Sequence, residues 1–414
     1  MHAPQAVRRV QLLSSISAEA IAKLERAGQN GSRCRFVVGK DIENPDTVVL
    51  RSQHFNTDEH PGVKLVVRAG TEASTVVGSR VDKGEVCVEL TLGANSDSVP
   101  EEVLYCTLAH ARKFHAANYF VRRELDYTLP PKDFKNGKER GKEGFETKKA
   151  DFVGRELWTQ TVGVIGAGQI GARVIKTMLF HNMRVIVYEK DRLSPLYLSL
   201  PPTVERAMSM DEVLAKADIT SIHVPGEANA DLIGPRQIEL MKPGAGIINC
   251  ARSEICDSAT ILAALKSGKL GGYFTDFPQQ DLPADHPQIM CLPHMGGNTE
   301  EAQARCGDMA ADQIIDFWTY GNVWPSKNLP RNVLAPASSA VMRLTISHRN
   351  HDGMLAKFQA IIAGAGVNTS TNQNAVTPRF GYYIVDCDEP LPADEIAKIK
   401  AIPDVIDVMV FNLK

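Results

Sequence analysis

Arg252, Asp276, Asp281 and His294 are the residues whose types and spacing suit combined proton and hydride chemistry. Arg252 closes Asn249-Cys-Ala-Arg252, both aspartates lie in Thr275-Asp-Phe-Pro-Gln-Gln-Asp281, and His294 stands in Leu292-Pro-His-Met-Gly-Gly297. A histidine can take the proton of an alcohol as hydride leaves, a carboxylate can hold and charge that histidine, and an arginine can fork onto a substrate carboxylate. The set suits oxidation of a 2-hydroxy acid. Asp281 reads equally as that carboxylate or as a solvated loop acid, and Asp276 as a cofactor contact, with a turn acid as its alternative.

Hydride needs an acceptor. Residues 163–171 read Gly-Val-Ile-Gly-Ala-Gly-Gln-Ile-Gly, which sets Gly166, Gly168 and Gly171 in the pattern G-x-G-x-x-G with Gln169 and Ile170 inside it. An apolar run precedes the glycines and a helix-like stretch follows. The first glycine allows a tight turn, the second lets backbone approach a pyrophosphate, and the third lets helix pack closely on strand. The helix N-terminus adds free N–H groups and the positive end of its dipole. The next apolar run, Arg184-Val-Ile-Val-Tyr188, leads to Glu189, an acid placed to accept from the adenosine ribose hydroxyls. That arrangement points to NAD. Arg192 nearby keeps NADP open as the alternative.

These residues must be positioned by alternating strands and helices. Strand-like runs at 35–38, 47–50, 64–67 and 86–90, with helix-like segments such as Ala18–Ala27 between them, argue for a parallel sheet. Residues 99–123 read as one long helix and 133–149 as a charged, exposed connection. Strands after the glycine pattern, at 219–222, 246–249 and 288–292, put Arg252 and His294 beyond strand carboxyl ends, where open parallel sheets bind ligands. Residues 302–318 read as a long helix and 324–337 as a linker. The remainder runs strand, helix, strand, strand, helix, strand, the order of a ferredoxin-like sandwich.

The chain of 414 residues suggests two or three domains. A net charge of −3 gives no general pull toward nucleic acid or anionic membrane. No apolar run reaches the length of a membrane span, and no secretory h-region is seen at the N-terminus. The 8 cysteines include no C-x-x-C pair and read as reduced core residues, so the cytoplasm is the expected compartment.

Taken in order, the glycine pattern, Ser221-Ile-His-Val-Pro225, Met241-Lys-Pro-Gly244, Asn249-Cys-Ala-Arg252, Asp276 and Pro293-His294 resemble the D-2-hydroxyacid dehydrogenase family over nearly the whole chain. Residues 343–355, Arg-Leu-Thr-Ile-Ser-His-Arg-Asn-His-Asp-Gly-Met-Leu, with Gly366-Val-Asn368, resemble an ACT regulatory domain, which points to the branch of the family that carries one. The resemblance implies an α/β fold of two Rossmann-like doubly wound parallel-sheet domains plus a C-terminal ferredoxin-like ACT domain. The implied domains are a substrate-binding domain over 1–115, completed by 296–325, an NAD-binding Rossmann domain over 116–295, and the ACT domain over 338–414.

The same resemblance makes Arg252 and His294 catalytic, with Asp281 where the family usually has glutamate. His223, Val224, Pro225 and Ala251 join the cofactor contacts. Arg68-Ala-Gly70 and Gly93-Ala-Asn-Ser-Asp-Ser-Val99 match substrate loops, so Arg51, Ser52, Ala69, Gly70 and Asn95 are implied substrate contacts, Arg51 for a phosphate. The implied reaction is NAD-dependent oxidation of 3-phosphoglycerate to 3-phosphohydroxypyruvate, the first step of L-serine biosynthesis, by a homodimer or homotetramer. Glu72 and Thr75 replace the usual glycine and asparagine of the carboxylate-binding loop. A dehydrogenase for an unphosphorylated acid (glycerate, lactate or 2-hydroxyglutarate) is therefore the first alternative, and an NAD-sensing binding protein without catalysis the second. His348, Asn350 and Asn368 match effector-binding positions and imply serine as effector, although Asp352 stands where proline is usual. No metal, nucleic acid or membrane partner is expected.

Overall fold

The structure is a computed structural model describing residues 6–29, 34–123, 148–226, 229–283 and 285–414. The chain divides into two compact units, Met1–Asn95 with Glu300–Lys414, and Ser96–Thr299.

The first unit contains a five-stranded parallel sheet in the order Cys34–Gly39, Ala6–Leu12, Thr47–Leu50, Leu65–Arg68, Cys87–Leu90. Its central strands are continuous apolar runs because both faces are covered. The helix Ala18–Ala27 begins at Ser17, whose hydroxyl accepts the Ala20 N–H at 3.1 Å. It packs against Glu300–Tyr320, the helix by which the chain returns to this unit. Between helices and sheet lie Val10, Leu24, Val49, Val67, Ile314, Phe317 and Trp318.

The C-terminal part of this unit is a four-stranded antiparallel sheet in the order Thr369–Val376, Phe380–Cys387, Met342–Arg349, Val405–Asn412, with helices Met354–Gly364 and Ala393–Lys400. This is the expected ferredoxin-like topology. Strand Phe380–Cys387 is buried on both faces. Its alternation sends Tyr382 and Ile384 into the core shared with Val10 and Phe317, and Tyr383 and Val385 toward Phe358 and Ile399 under the two helices. The expected linker is bound down by polar groups. Arg343 and Asp386 pair at 2.5 Å with no solvent exposure, Arg343 also donates to the Tyr320 and Leu334 carbonyls, and Asp386 accepts the Ala337 N–H.

The second unit is a seven-stranded parallel sheet in the order Glu205–Arg206, Arg184–Tyr188, Thr161–Ile165, Ile219–Ile222, Ala245–Asn249, Leu270–Thr275, Ile289–Cys291. Numbered along the chain this is 3-2-1-4-5-6-7, the doubly wound order with its switch point between Thr161–Ile165 and Ile219–Ile222.

Two sequence expectations change here. The predicted long helix over 99–123 is two helices, Val99–Ala111 and Phe114–Arg123, separated where Lys113 takes φ +54°. The first of them belongs to the second unit, although the substrate domain was expected to run to 115. Val99, Val103 and Cys106 pack it against Val164, Ile175 and Met178 of the sheet and its helix. The connection expected over 133–149 lies, up to residue 147, outside the described residues.

Candidate active site

Strand Thr161–Ile165 is buried at every position and runs into Gly166 at φ +92°. A Cβ at Gly166 would lie 2.5 Å from the His223 carbonyl oxygen, so sterics and backbone conformation both require glycine. A Cβ at Gly171, inside helix Gln169–Phe180, would lie 1.9 Å from the Gly166 carbonyl oxygen, which is the close packing of helix on strand. Gly168 precedes that helix and behaves differently: among the described residues no atom lies within 4 Å of its Cβ position. The protein leaves open the one place where a pyrophosphate would approach, with Gln169 and Ile170 in the helix's first turn behind it. These residues fit a dinucleotide.

Glu189, just past strand Arg184–Tyr188, accepts the Ala167 N–H at 2.6 Å and the Asp191 N–H at 2.9 Å, one on each carboxylate oxygen. Arg192 is exposed, its guanidinium 3.1 Å from the Met208 sulfur. His223 extends its strand by donating to the Ile165 carbonyl at 2.8 Å, and its Nε2 is 2.8 Å from the Ser221 hydroxyl. Burial pushes its imidazole down to about 4, so it is neutral. Val224 packs against Gly166, and Pro225 is exposed.

Asn249 ends its strand and builds the next turn with its own side chain. The amide oxygen accepts the Ala251 and Arg252 N–H groups at 3.2 and 3.3 Å, and the amide nitrogen donates to the Arg252 carbonyl at 2.8 Å. Arg252 then places its guanidinium 2.6 Å from the Ala251 carbonyl and 5.5 Å from the Phe277 ring centroid. The His294 ring lies 4.4 Å from Phe277. His294 itself is exposed and held at φ +51°, a left-handed conformation that histidine tolerates better than most residues but that still costs energy.

Asp276 is only 3% exposed. Its carbonyl accepts the His294 N–H at 2.8 Å. Burial pushes its carboxyl upward, while the charge of His294, the Gly296 N–H and the charge of Arg252 pull it down. Asp276 is thus a carboxyl that feels the charge of His294.

Asp281 departs from its expected role. It is exposed and lines a surface pocket with Asp231, Glu254 and Asp257. The turn is pinned there because Gln279 accepts from the Ser258 hydroxyl at 3.0 Å and donates to the Ser253 carbonyl at 3.1 Å, and because Leu282 is buried in the neighbouring core. Glu102 is the residue sequence reasoning missed. It shares the buried face of helix Val99–Ala111 with Val99, Val103 and Cys106, and its carboxyl meets Asp276 and Cys250. An acid at a core-periodic helix position was the signal.

In the first unit, Arg51 follows strand Thr47–Leu50, and its N–H donates to the Ser14 hydroxyl at 2.8 Å. Ser52 is exposed. Ala69 and Gly70 follow the adjacent strand, Ala69 donating to the Leu50 carbonyl at 2.8 Å, with the Arg68 guanidinium lying over Gly70. Asn95 ends a loop tied to helix Glu300–Tyr320, where Arg305 donates to the Ala94 carbonyl at 2.8 Å. These candidates gather beyond the carboxyl ends of neighbouring parallel strands.

The implied effector residues do not gather within one copy. His348 is buried, its Nδ1 2.7 Å from the Arg349 carbonyl and its ring against Phe358. Asn350 donates to the Thr377 carbonyl at 2.9 Å, and Asn368 to the Asp388 carboxylate at 2.6 Å. The register pairs Arg349 with Phe380 and Thr369 with Cys387, so Asn350 and Asn368 sit at opposite ends of the sheet.

A family model described as D-isomer specific 2-hydroxyacid dehydrogenase, NAD binding domain, matches residues 105–296. The D-3-phosphoglycerate dehydrogenase of Methanocaldococcus jannaschii is 31% identical over 284 residues, 66% of this chain and 50% of that protein. Among the first matches the chain spans between 50% and 62% of the relatives' length. The NAD+-bound 3-phosphoglycerate dehydrogenase of Entamoeba histolytica superposes with a TM-score of 0.58 at 22% identity, covering 78% of this chain and 99% of that one. The NAD-complexed D-isomer specific 2-hydroxyacid dehydrogenase of Lactobacillus delbrueckii ssp. bulgaricus gives 0.58 at 20% identity, with coverage of 75% and 97%. At those identities the likeness is one of fold.

Proposed function

We propose that the chain is a D-isomer specific 2-hydroxyacid dehydrogenase, a reading supported by the match of residues 105–296 to that family's NAD binding domain, and that it oxidises 3-phosphoglycerate to 3-phosphohydroxypyruvate with NAD. One observation carries the reading: Arg252, Asp276 and His294 follow three adjacent strands of the sheet that also bears the glycine turn. When bound, the nicotinamide accepts the hydride. His294 takes the hydroxyl proton, Asp276 stabilises the imidazolium that results, and Arg252 forks onto the substrate carboxylate. Gly166, Gly168, Gly171, Gln169 and Ile170 hold the pyrophosphate. Glu189 receives the ribose hydroxyls, which favours NAD over NADP.

For the substrate phosphate we assign Arg51, with Ser52, Ala69, Gly70 and Asn95 as further contacts. We read the ferredoxin-like part as an ACT domain with serine as its effector. A second copy would supply Asn368 opposite His348 and Asn350, since one copy separates them. On this reading the enzyme works in the cytoplasm as a homodimer or homotetramer, in serine synthesis.

Steady-state rates of Arg51→Ala test the substrate. Loss confined to phosphorylated acids supports the assignment, and equal rates on 3-phosphoglycerate would move it to an unphosphorylated acid. Serine is tested apart: millimolar serine lowers turnover or raises the melting temperature, and the regulatory reading fails if it does neither.

A further inference from the structure

The carboxyl of Glu102, half-buried, lies close to the buried carboxyl of Asp276. Glu102 Oε2 and Asp276 Oδ1 are both inaccessible to solvent and have no hydrogen-bond partner among the described residues. Ligand-type atoms of Glu102, Cys250 and Asp276 lie within 4.8 Å of one another. Gly296 lets the carboxyls approach, because a Cβ there would lie 2.4 Å from Glu102 Oε2 and 3.3 Å from Asp276 Oδ2. Two ionised carboxylates in such a space repel each other and each only accepts, so a proton or a cation between them is favoured.

We propose that Glu102 holds one proton shared with Asp276, donates it as a hydrogen bond, and so keeps Asp276 charged and oriented toward His294. This makes Glu102 a positioning residue for the reaction proposed above, on which its catalytic consequence rests. The partition follows from the surroundings. Asp276 has the His294 and Arg252 charges and the Gly296 N–H to stabilise its anion, whereas Glu102 Oε1 meets the Cys250 thiol at 3.8 Å. Burial first, and the Asp276 charge second, push Glu102 up to about 7. A cation is the weaker solution. Contact with Cys106 and burial hold the Cys250 thiol well above its ordinary range, so it is not a thiolate.

The charged and titratable groups around Glu102 are Cys106 on its own helix, Cys250 and Asp276 beyond two strands, and His294 and Arg252 beyond Asp276. Helix Gln169–Phe180, which packs on the same helix, carries Arg173, paired with Asp97, and the exposed Lys176. As pH rises through about 7, Glu102 ionises, its hydrogen bond to Asp276 is lost, and a second negative charge appears beside the site.

Two measurements test this on the full chain with NAD. Loss of the donor in Glu102→Ala lowers kcat roughly tenfold at pH near 6 with NADH affinity retained. Glu102→Gln, which still donates, recovers most of that loss and lacks the wild-type alkaline fall. Infrared difference spectra show a protonated-carboxyl carbonyl stretch in the wild type that titrates near pH 7 and is absent from Glu102→Gln. A missing band, an alkaline limb unchanged in Glu102→Gln, or a stoichiometric divalent metal whose chelation stops turnover each overturns the proposal. The spectrum does not depend on turnover. A titrating band in a protein that oxidises no 2-hydroxy acid therefore supports the shared proton and refutes the dehydrogenase reading alone.

Discussion

The His294 N–H donates to the Asp276 carbonyl at 2.8 Å, which joins the end of strand Leu270–Thr275 to the turn after Ile289–Cys291. On the proposed roles, base and carboxylate are thus held by backbone as well as by charge.

The first prediction separates the two aspartates. Asp276→Asn keeps the shape, removes the charge beside His294, and lowers kcat by about 10²-fold or more. Asp281→Asn, in the surface turn pinned by Gln279, leaves kcat within about twofold. Initial rates decide it, and the reverse order of effects would restore Asp281 to the site.

Gly168 and Gly171 give a paired test of cofactor space against packing. Gly168→Ala meets no atom of the described residues and has φ −69°, so the melting temperature stays near wild type while the Kd for NADH rises. Gly171→Ala drives a methyl into the Gly166 carbonyl oxygen and lowers the melting temperature. Calorimetry and NADH fluorescence titration read the two effects separately. Destabilisation by Gly168→Ala with unchanged NADH affinity would count against a pyrophosphate there.

Glu189 is held by the Ala167 and Asp191 N–H groups. Glu189→Ala should weaken NADH binding by about tenfold, the worth of a charge-assisted hydrogen bond, and narrow the preference over NADPH. Equal losses for both cofactors would mean that the carboxylate serves only the turn.

Much of this was legible in the sequence, and the misses share a cause. The glycine spacing, the apolar runs before Gly166 and Glu189, and the strand-helix alternation are local patterns, and the fold follows them. Asp281 was misplaced because its direction is set by long-range anchors, Gln279 on Ser253 and Leu282 in a core, that no local pattern reveals. Glu102 is far from Asp276 in sequence and meets it only through the packing of one helix on the sheet. The linker after residue 323 reads as loose by its Pro, Asn and Ser content. Arg343 and Asp386, which lie beyond it, order it.

That buried pair gives a stability prediction. Asp386→Ala leaves the Arg343 guanidinium uncompensated at zero exposure and costs about 3–5 kcal/mol in urea unfolding. Replacing both with apolar residues of similar volume costs less than either single change. Simple additivity would show that the two do not act as a pair.

The most direct test of the account is NADH appearance with NAD and a panel of 2-hydroxy acids that includes 3-phosphoglycerate, run beside His294→Ala. The account predicts turnover with 3-phosphoglycerate that falls by about 10²–10⁴-fold in the variant, with NADH binding kept. Absence of NADH with every acid, or a variant that matches the wild type, would contradict it.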